Sequence, residues 1–171
     1  MWLASAGWQV TAVDVSATAI SRLVARAAAE GLADRVRAEP HDLSRTAPEG
    51  VFDLVYACYF HSPVSFDRDE VFRGIARQVA VDGCLIIVDH ASTAPWSWRL
   101  GPDEPVFPTP EETVHTLQLG PRWLTERCER AERIATGPDG TTATVADKPD
   151  RGAAIAGGVT KPHTGASYPK R

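Results

Sequence analysis

The stretch Gln9–Ser16, which reads Gln-Val-Thr-Ala-Val-Asp-Val-Ser, decides the fold of this chain. Its short apolar run ends on a carboxylate, Asp14, and a helical pattern begins two residues later. This order is typical of a buried parallel strand that delivers an acid to the carboxyl edge of a sheet. Ligands bind at that edge in open α/β sheets, where an acid can accept hydrogen bonds from both hydroxyls of a ribose. The stretch therefore predicts either a site for a nucleoside-containing cofactor or a simple helix cap at Asp14.

Composition and charge narrow the possible partners. The 171 residues suit one globular domain, and 43% of them are hydrophobic. A net charge of -4 gives no electrostatic argument for binding nucleic acid or a membrane surface, so a small molecule is the expected partner. No apolar run is long enough to span a bilayer, and no signal peptide is recognisable. The three cysteines lie far apart, which predicts neither disulfides nor a zinc site and favours a cytoplasmic location: Cys58, Cys84 and Cys128.

Strand and helix patterns alternate along the first half of the chain. From Ser16, which can serve as an N-cap, apolar residues recur at helical spacing until Gly31. A second helical pattern covers residues 67–80. Strands joined by helices predict a parallel sheet with right-handed crossovers. The further strand candidates are 35–39, 51–58 and 84–89.

Polar side chains also follow the next two strand candidates. Asp42 comes just after the second strand, and two strand-end acids favour cofactor binding more than one does, although a turn cap at Asp42 remains an alternative. The uncharged aromatic loop 59–63 follows the third strand at the same predicted edge and contains His61. This histidine has no partner visible in the sequence, so a role as a base and a role as a neutral loop residue are both open.

The second half of the chain changes character. Residues 90–108 form a proline-rich loop that carries Trp96 and Trp98. Such a loop predicts either a lid over a pocket or a surface excursion whose tryptophans pack on the core. A capping box that begins at Thr109 predicts a helix over 110–119.

The last predicted elements are a hairpin and a tail. Segments 123–136 and 141–145 flank the turn Gly-Pro-Asp-Gly, which predicts an antiparallel hairpin at the sheet edge. Residues 147–171 show neither apolar period nor caps, so the sequence predicts a folded domain over 1–146 and a disordered tail.

Taken in order, these motifs resemble a known family. Val-Thr-Ala-Val-Asp-Val-Ser, the acid Asp42, Phe-Asp-Leu-Val-Tyr-Ala-Cys-Tyr-Phe-His-Ser-Pro and the Asp-Gly-Cys-Leu-Ile-Ile-Val strand are similar to the second half of class I S-adenosylmethionine-dependent methyltransferases. The likeness is greatest to small bacterial enzymes of the tellurite-resistance and thiopurine-methyltransferase type and covers 2–145. It implies a Rossmann-like α/β fold, a mostly parallel sheet with helices on both faces, and an antiparallel C-terminal edge hairpin.

The resemblance also implies roles for individual residues. Methyl transfer from S-adenosylmethionine to a small-molecule acceptor would be the reaction, with no metal and no assigned catalytic residue. Asp14 would bind the ribose hydroxyls and Asp42 the adenine amino group. Val15 would pack on the adenine, and Leu43 would lie beside Asp42. The methionine end and the path to the acceptor would be lined by Ala57, Cys58 and Tyr59. The acceptor would be faced by His61, Trp96 and Trp98.

The sequence departs from the family at both ends. The family's first strand and its glycine-rich turn would lie before Met1, so we expect an N-terminal truncation that lacks the central strand of the sheet. Such a gap would leave the backbone groups of two strand edges unpaired. Near the other end, Pro149 would interrupt the family's last strand.

Two further functions remain open from the sequence. A nicotinamide-binding oxidoreductase would also use a strand-end acid such as Asp14. However, all three lysines lie in the predicted tail, so the folded part has no Tyr-x-x-x-Lys pair of the short-chain dehydrogenase kind: Lys148, Lys161 and Lys170. A non-catalytic methyltransferase remnant is the other alternative, because the glycine-rich turn is missing.

Overall fold

The computed structural model describes residues 1–62, 66–97, 106–147 and 158–160. The chain divides into two compact units, Met1–Gly50 and Val51–Arg171. Each unit combines strands and helices, and each contains a parallel strand pair, which confirms the α/β class. Among the described residues, no helix is long and apolar enough to cross a membrane.

The first unit is a parallel strand pair with helices. Strands β1 and β2 run in register, from Val10 opposite Val36 to Asp14 opposite Pro40. Helix α2 begins after Ser16, whose hydroxyl accepts a hydrogen bond of 3.3 Å from the Ala19 backbone N–H. The predicted amphipathic helix and its N-cap are therefore confirmed. The elements are α1 Trp2–Ser5, β1 Val10–Asp14, α2 Ala17–Ala29, a 3₁₀ turn Ala33–Arg35 and β2 Val36–Pro40.

The second unit contains a four-stranded sheet in the order β3-β4-β8-β5. β3 and β4 are parallel, whereas β8 pairs antiparallel with both of its neighbours. β3 lies at one end of this sheet. The elements are β3 Phe52–Cys58, α3 Arg68–Ala76, β4 Val79–Val88, α4 Pro110–Leu117, β5 Leu124–Arg127 and β8 Gly158–Thr160.

The core of this unit lies between α3, β4 and α4. Its buried side chains come from alternate positions of β4 and from the inner faces of both helices, as apolar periodicity predicts. α4 begins with the predicted capping box, in which Thr109 and Glu112 exchange side-chain to backbone hydrogen bonds. The buried cluster is Phe72, Ala76, Val79, Leu85, Ile87 and Leu117.

The predicted antiparallel hairpin is confirmed as β6 Ala131–Thr136 and β7 Thr142–Asp147. Its turn is closed by the Gly137 N–H, which donates 2.7 Å to the Thr141 carbonyl. The hairpin forms a two-stranded sheet of its own in the described part of the chain.

The prediction that α3 continues to Ala80 is wrong. The helix ends at Ala76, and Val79 already belongs to β4, where it is paired with Phe52. Val79 is 1% exposed, and an apolar residue in that position satisfies helical spacing and strand burial equally well. The register then shifts before Leu54 meets Cys84, and Asp82 adopts a left-handed φ of 63° within the irregular stretch. This bulge lies directly after the end of the predicted helix.

Strand β8 lies inside the segment for which the sequence predicts no secondary structure. Its residues pair with Cys84–Ile86 on one side and with β5 on the other. Three residues are too few to show a period-two pattern, which is why the sequence gives no sign of this strand.

Gly83→Ala is expected to destabilise the fold by about 1–3 kcal/mol, the usual cost of overpacking. A Cβ at this buried position would lie 2.9 Å from the Val79 side chain and 3.0 Å from the Ala80 carbonyl oxygen. The backbone of the bulge cannot move away without changing the register of β4. A urea unfolding curve measures the loss of stability. Gly120→Ala is the comparison: a Cβ there meets no atom within 4 Å, so the only cost of that substitution is backbone strain at a positive φ.

Candidate functional site

Two carboxylates lie at the carboxyl end of the β1–β2 pair. Asp14 ends β1, and the His41 N–H donates 3.1 Å to the Asp14 carbonyl, which ties the segment before Asp42 to that strand end. The Asp14 side chain is exposed, and its Oδ1 accepts 2.7 Å from the Ser16 N–H. This Asx turn orients the carboxylate while its other oxygen faces outward. Thus the first two predicted acids are brought to one edge.

Asp42 is held as an anion at this edge. The Ser44 hydroxyl donates 2.6 Å to its Oδ1, and the Ser44 N–H donates 3.1 Å to the same atom. The hydroxyl bond, the backbone bond and the nearby Arg45 guanidinium lower the pKa of the Asp42 carboxyl below its ordinary value. At neutral pH, Asp42 is therefore ionised, and both of its oxygens can only accept hydrogen bonds.

The predicted apolar neighbours of these acids differ in exposure. Val15 is 74% exposed directly after Asp14, and Leu43 is half-buried after Asp42. The exposed Val15 side chain therefore presents apolar surface directly beside the Asp14 carboxylate.

The carboxyl end of β3 carries three more predicted residues on alternating faces. Ala57 packs against the buried core, whereas Cys58 is exposed. Tyr59 leaves the strand with a left-handed φ of 52°, and its N–H donates 2.7 Å to the Val88 carbonyl at the end of β4. A bulky residue in this region stores strain and persists only where its surroundings fix it, as they often do at functional sites.

A cavity of about 1100 Å³ opens beside the ends of β3 and β4. All of its lining residues belong to the second unit. They come from the segments that follow β3 and β4, from the start of α3, from residues 106–108 and from the hairpin. Six of its lining residues carry aromatic rings: Tyr59, Phe66, His61, His90, Trp96 and Phe107. A volume of this size fits a drug-sized small molecule.

A buried ion pair lies at the cavity wall. Asp89 follows β4 and is only 1% exposed, and its Oδ2 accepts a hydrogen bond from Arg68 Nη2. Its other oxygen, Oδ1, lies 3.4 Å from His61 Nε2. Arg68 is itself fixed, because its Nε donates 3.0 Å to the Phe60 carbonyl. The arrangement places a carboxylate behind a histidine that reaches the cavity.

Histidines and aromatic rings stack across the cavity. The Tyr59 and His90 rings are stacked with centroids 4.3 Å apart, and His61 lies nearly parallel to His90 at 5.9 Å. Phe107 meets both histidines edge-on, at 6.1 Å from His61 and 6.0 Å from His90. These contacts fix the ring of His61 in a plane.

Trp96 connects the loop after β4 to the hairpin. It lines the cavity, and its indole lies against Gly137, where a Cβ would come within 2.9 Å of the ring. The Ser92 hydroxyl completes this junction by accepting 2.7 Å from the Ala146 N–H. Trp96 therefore lies on the wall of the cavity. Trp98 lies outside the described residues.

Sequence reasoning missed Asp89 and Arg68. Asp89 does carry a signal, since it ends a strand as Asp14 does. Arg68 carries none, because its contact with Asp89 spans 21 positions and no local pattern predicts it.

Within the described ranges, no group of three or more His, Cys, Asp or Glu side chains is arranged to hold a metal ion.

The comparison with protein families finds a match at the N-terminal side. Residues 1–85 match the model of a methyltransferase domain. A search of curated proteins finds no match.

Solved structures share the fold of this chain. One is a structure described as the conversion of a disulfide bond into a thioacetal group during echinomycin biosynthesis. Its sequence is 18% identical, and the TM-score is 0.63. The alignment covers 96% of this chain and 71% of that one. TehB from Haemophilus influenzae is 16% identical, with coverages of 95% and 52% and a TM-score of 0.61. The [4+2]-cyclase SpnF is 21% identical, with coverages of 77% and 48% and a TM-score of 0.58.

These likenesses establish the α/β fold and its arrangement of strands and helices. The chain spans about half the length of the second and third of these proteins.

Proposed function

We propose that this chain is a methyltransferase domain that uses S-adenosylmethionine to methylate a small-molecule acceptor. The observation that carries the proposal is the match of residues 1–85 to a methyltransferase domain, combined with two exposed, oriented carboxylates at one strand-end edge within that range. The relation to TehB supports the finer proposal of a small bacterial-type enzyme.

The residues of the first unit fit a nucleoside. Asp14 has one oxygen anchored by Ser16, so its carboxylate has a fixed direction toward the hydroxyls of a ribose. Asp42 is ionised and accepts hydrogen bonds, as recognition of an adenine amino group needs. Val15 supplies apolar surface for the purine. Leu43, Ala57, Cys58 and Tyr59 complete the set that we assign to the cofactor.

The cofactor supplies an electrophilic methyl group when bound. What the protein's own residues must do is hold the acceptor in line with that group and keep water away. The aromatic walls of the cavity suit both tasks, because rigid rings such as Tyr59 and Phe107 position a ligand at little entropic cost. We assign His61 and Trp96 to the acceptor side on this basis, with Trp98 as a further candidate.

Asp14→Ala is expected to weaken binding of S-adenosylhomocysteine by about 10- to 100-fold, because hydrogen bonds to a charged group contribute roughly 1.5–3 kcal/mol. Isothermal titration calorimetry of the purified chain measures the dissociation constant. Asp34→Ala is the matched control, since Asp34 is also an acid of the first unit but lies before β2, at the opposite end of the strand pair. Its affinity is expected to equal that of the wild type.

An equal loss of S-adenosylhomocysteine affinity in Asp14→Ala and Asp34→Ala would contradict the assignment of Asp14, since it would mean that net charge alone attracts the ligand. If the wild-type chain binds NAD but not S-adenosylhomocysteine, the methyltransferase proposal is wrong and the oxidoreductase alternative is right. If neither ligand binds to this chain or to an upstream-extended version of it, both proposals fail.

A further inference from the structure

The pair formed by His61 and Asp89 has no part in cofactor binding as proposed above. His61 lies at the cavity, with 32% of its side chain exposed, whereas the Asp89 carboxylate is buried behind it. A buried carboxylate that faces one nitrogen of a partly exposed histidine is the arrangement by which proteins orient a general base.

Arg68 fixes the direction of that carboxylate. The guanidinium holds Oδ2 of Asp89, donates to the Phe60 carbonyl, and lies over the Phe72 ring at 4.6 Å. With one oxygen engaged by Arg68, the other, Oδ1, faces His61 Nε2 at 3.4 Å. Hydrogen bonds of catalytic groups are commonly long before the reactants bind and shorten afterwards. Arg68 is therefore a positioning residue for Asp89.

The Asp89 carboxylate beside Nε2 would stabilise the positive charge that the His61 ring gains when it accepts a proton. The other charged or titratable side chains on the cavity wall are Asp67, Asp69, Arg68, Arg133, Tyr59 and His90.

We propose that His61 is the general base of the methyl transfer, oriented by Asp89, and that the acceptor is an aromatic hydroxyl compound. This inference rests on the proposed function. A base is needed when the nucleophile must lose a proton to become reactive, as a phenol must. A neutral amine or a thioether attacks without losing a proton first, so neither acceptor would need His61 as a base.

The walls of the cavity favour an aromatic ring in the acceptor. Tyr59, Phe66 and Phe107 line the same cavity as His61, and stacked or edge-on contacts with them would hold a planar ring. The hydroxyl of such a ring would then point at the imidazole.

In the proposed reaction the phenol O–H bond breaks, its proton moves to the His61 imidazole, and the oxygen keeps the electron pair. The oxygen then forms a C–O bond with the methyl carbon while the C–S bond of the sulfonium breaks toward sulfur, which leaves as a neutral thioether. His61 finally returns its proton to water, so no oxidant or reductant is consumed.

The proton transfer can be tested without cofactor by absorbance spectroscopy with 4-nitrophenol as the probe. The wild-type chain is titrated into 4-nitrophenol at a pH below that at which the free compound ionises. We expect the phenolate absorbance band to rise as the probe binds. In His61→Gln, which keeps a polar side chain of similar length, the band is expected to stay at the level of the free probe.

Two further variants make the test specific. His115→Gln removes an exposed histidine of α4 that does not line the cavity, and it should give the wild-type spectrum. Asp89→Asn keeps the shape of the side chain but removes its charge, and it should reduce the phenolate signal while circular dichroism confirms that the variant is folded. A wild-type level of phenolate in His61→Gln overturns the proposal, as does absence of the band in the wild type.

Activity and cofactor binding separate this inference from the proposed function. With a phenolic acceptor, His61→Gln is expected to lower kcat by about 10²- to 10⁴-fold, the usual contribution of a general base, and to leave S-adenosylhomocysteine affinity unchanged. Cofactor binding without a phenolate band would contradict the role of His61 as general base and leave the methyltransferase proposal intact. A phenolate band without cofactor binding would show that His61 takes a proton from a phenol but would contradict the methyltransferase proposal, and with it the role of His61 in methyl transfer.

Discussion

Asp89→Ala is expected to lower the free energy of unfolding of the second unit by about 3–5 kcal/mol, because it leaves the Arg68 guanidinium as an uncompensated charge. The carboxylate is 1% exposed, and Arg68 is 16% exposed in its side chain, so neither charge is well hydrated in the folded state. The deletion also removes the only carboxylate for which an ion pair with Arg68 is observed among the described residues. A loss of this size is a large fraction of the stability of a typical domain.

Urea unfolding followed by circular dichroism measures this effect. Asp53→Ala is the matched control, since Asp53 is an exposed acid of β3 in the same sheet, and its change should stay within about 0.5 kcal/mol. If Asp89→Ala unfolds at the wild-type urea concentration, the ion pair contributes nothing to the fold.

A double variant separates the cost of the unpaired charge from the value of the pair. Replacing Arg68 by Met and Asp89 by Leu removes both charges and keeps apolar volume, and such replacements of buried pairs are often neutral. The double variant should therefore be more stable than Asp89→Ala, although it would lack the carboxylate that orients His61. Equal instability of the two would indicate that packing, and not charge, fixes this region.

Phe72→Ala is expected to cost about 3–5 kcal/mol, the range for removing a fully buried phenylalanine. Phe72 is 0% exposed and lies at the centre of the cluster between α3, β4 and α4. Its ring also meets Phe60 edge-on at 5.7 Å and lies under the Arg68 guanidinium, so the cavity left by alanine would loosen the support of the ion pair.

The same urea experiment tests this loss, with Val81→Ala as the control. Val81 is a β4 residue that is 51% exposed, so its truncation should change the free energy of unfolding by less than about 0.5 kcal/mol. Phe72→Leu keeps most of the volume and should fall between the two. A Phe72→Ala variant as stable as the control would mean that the cluster rearranges to fill the space.

Helices with clear signals at their ends could be predicted from the sequence. α2 has a serine cap, an apolar stripe and a glycine stop, and α4 has a capping box with proline at its first position. These signals are local, because each depends on backbone groups within one helical turn. The hairpin β6–β7 was predictable for the same reason, since its turn residues lie between its two strands.

The boundary between α3 and β4 was not predictable, because Val79 suits either element and only its pairing with Phe52 decides. The residues of the candidate site show the same difference between local signals and contacts over long sequence distances. Asp14 and Asp42 were found because each follows a strand in the sequence, whereas the contact between Asp89, Arg68 and His61 is made by three separate segments. The pairing of β3 with β4 and the packing of α3 against β4 bring those segments together.

Strand β3 has a consequence for the behaviour of this protein at high concentration. Within the described part of the chain it pairs along one edge only, with β4, and its single charged residue is Asp53. Natural edge strands are commonly protected from one another by lysine or proline, and β3 contains neither. Together with the 53% exposure of Tyr56, this edge favours strand-to-strand adhesion between molecules at high concentration.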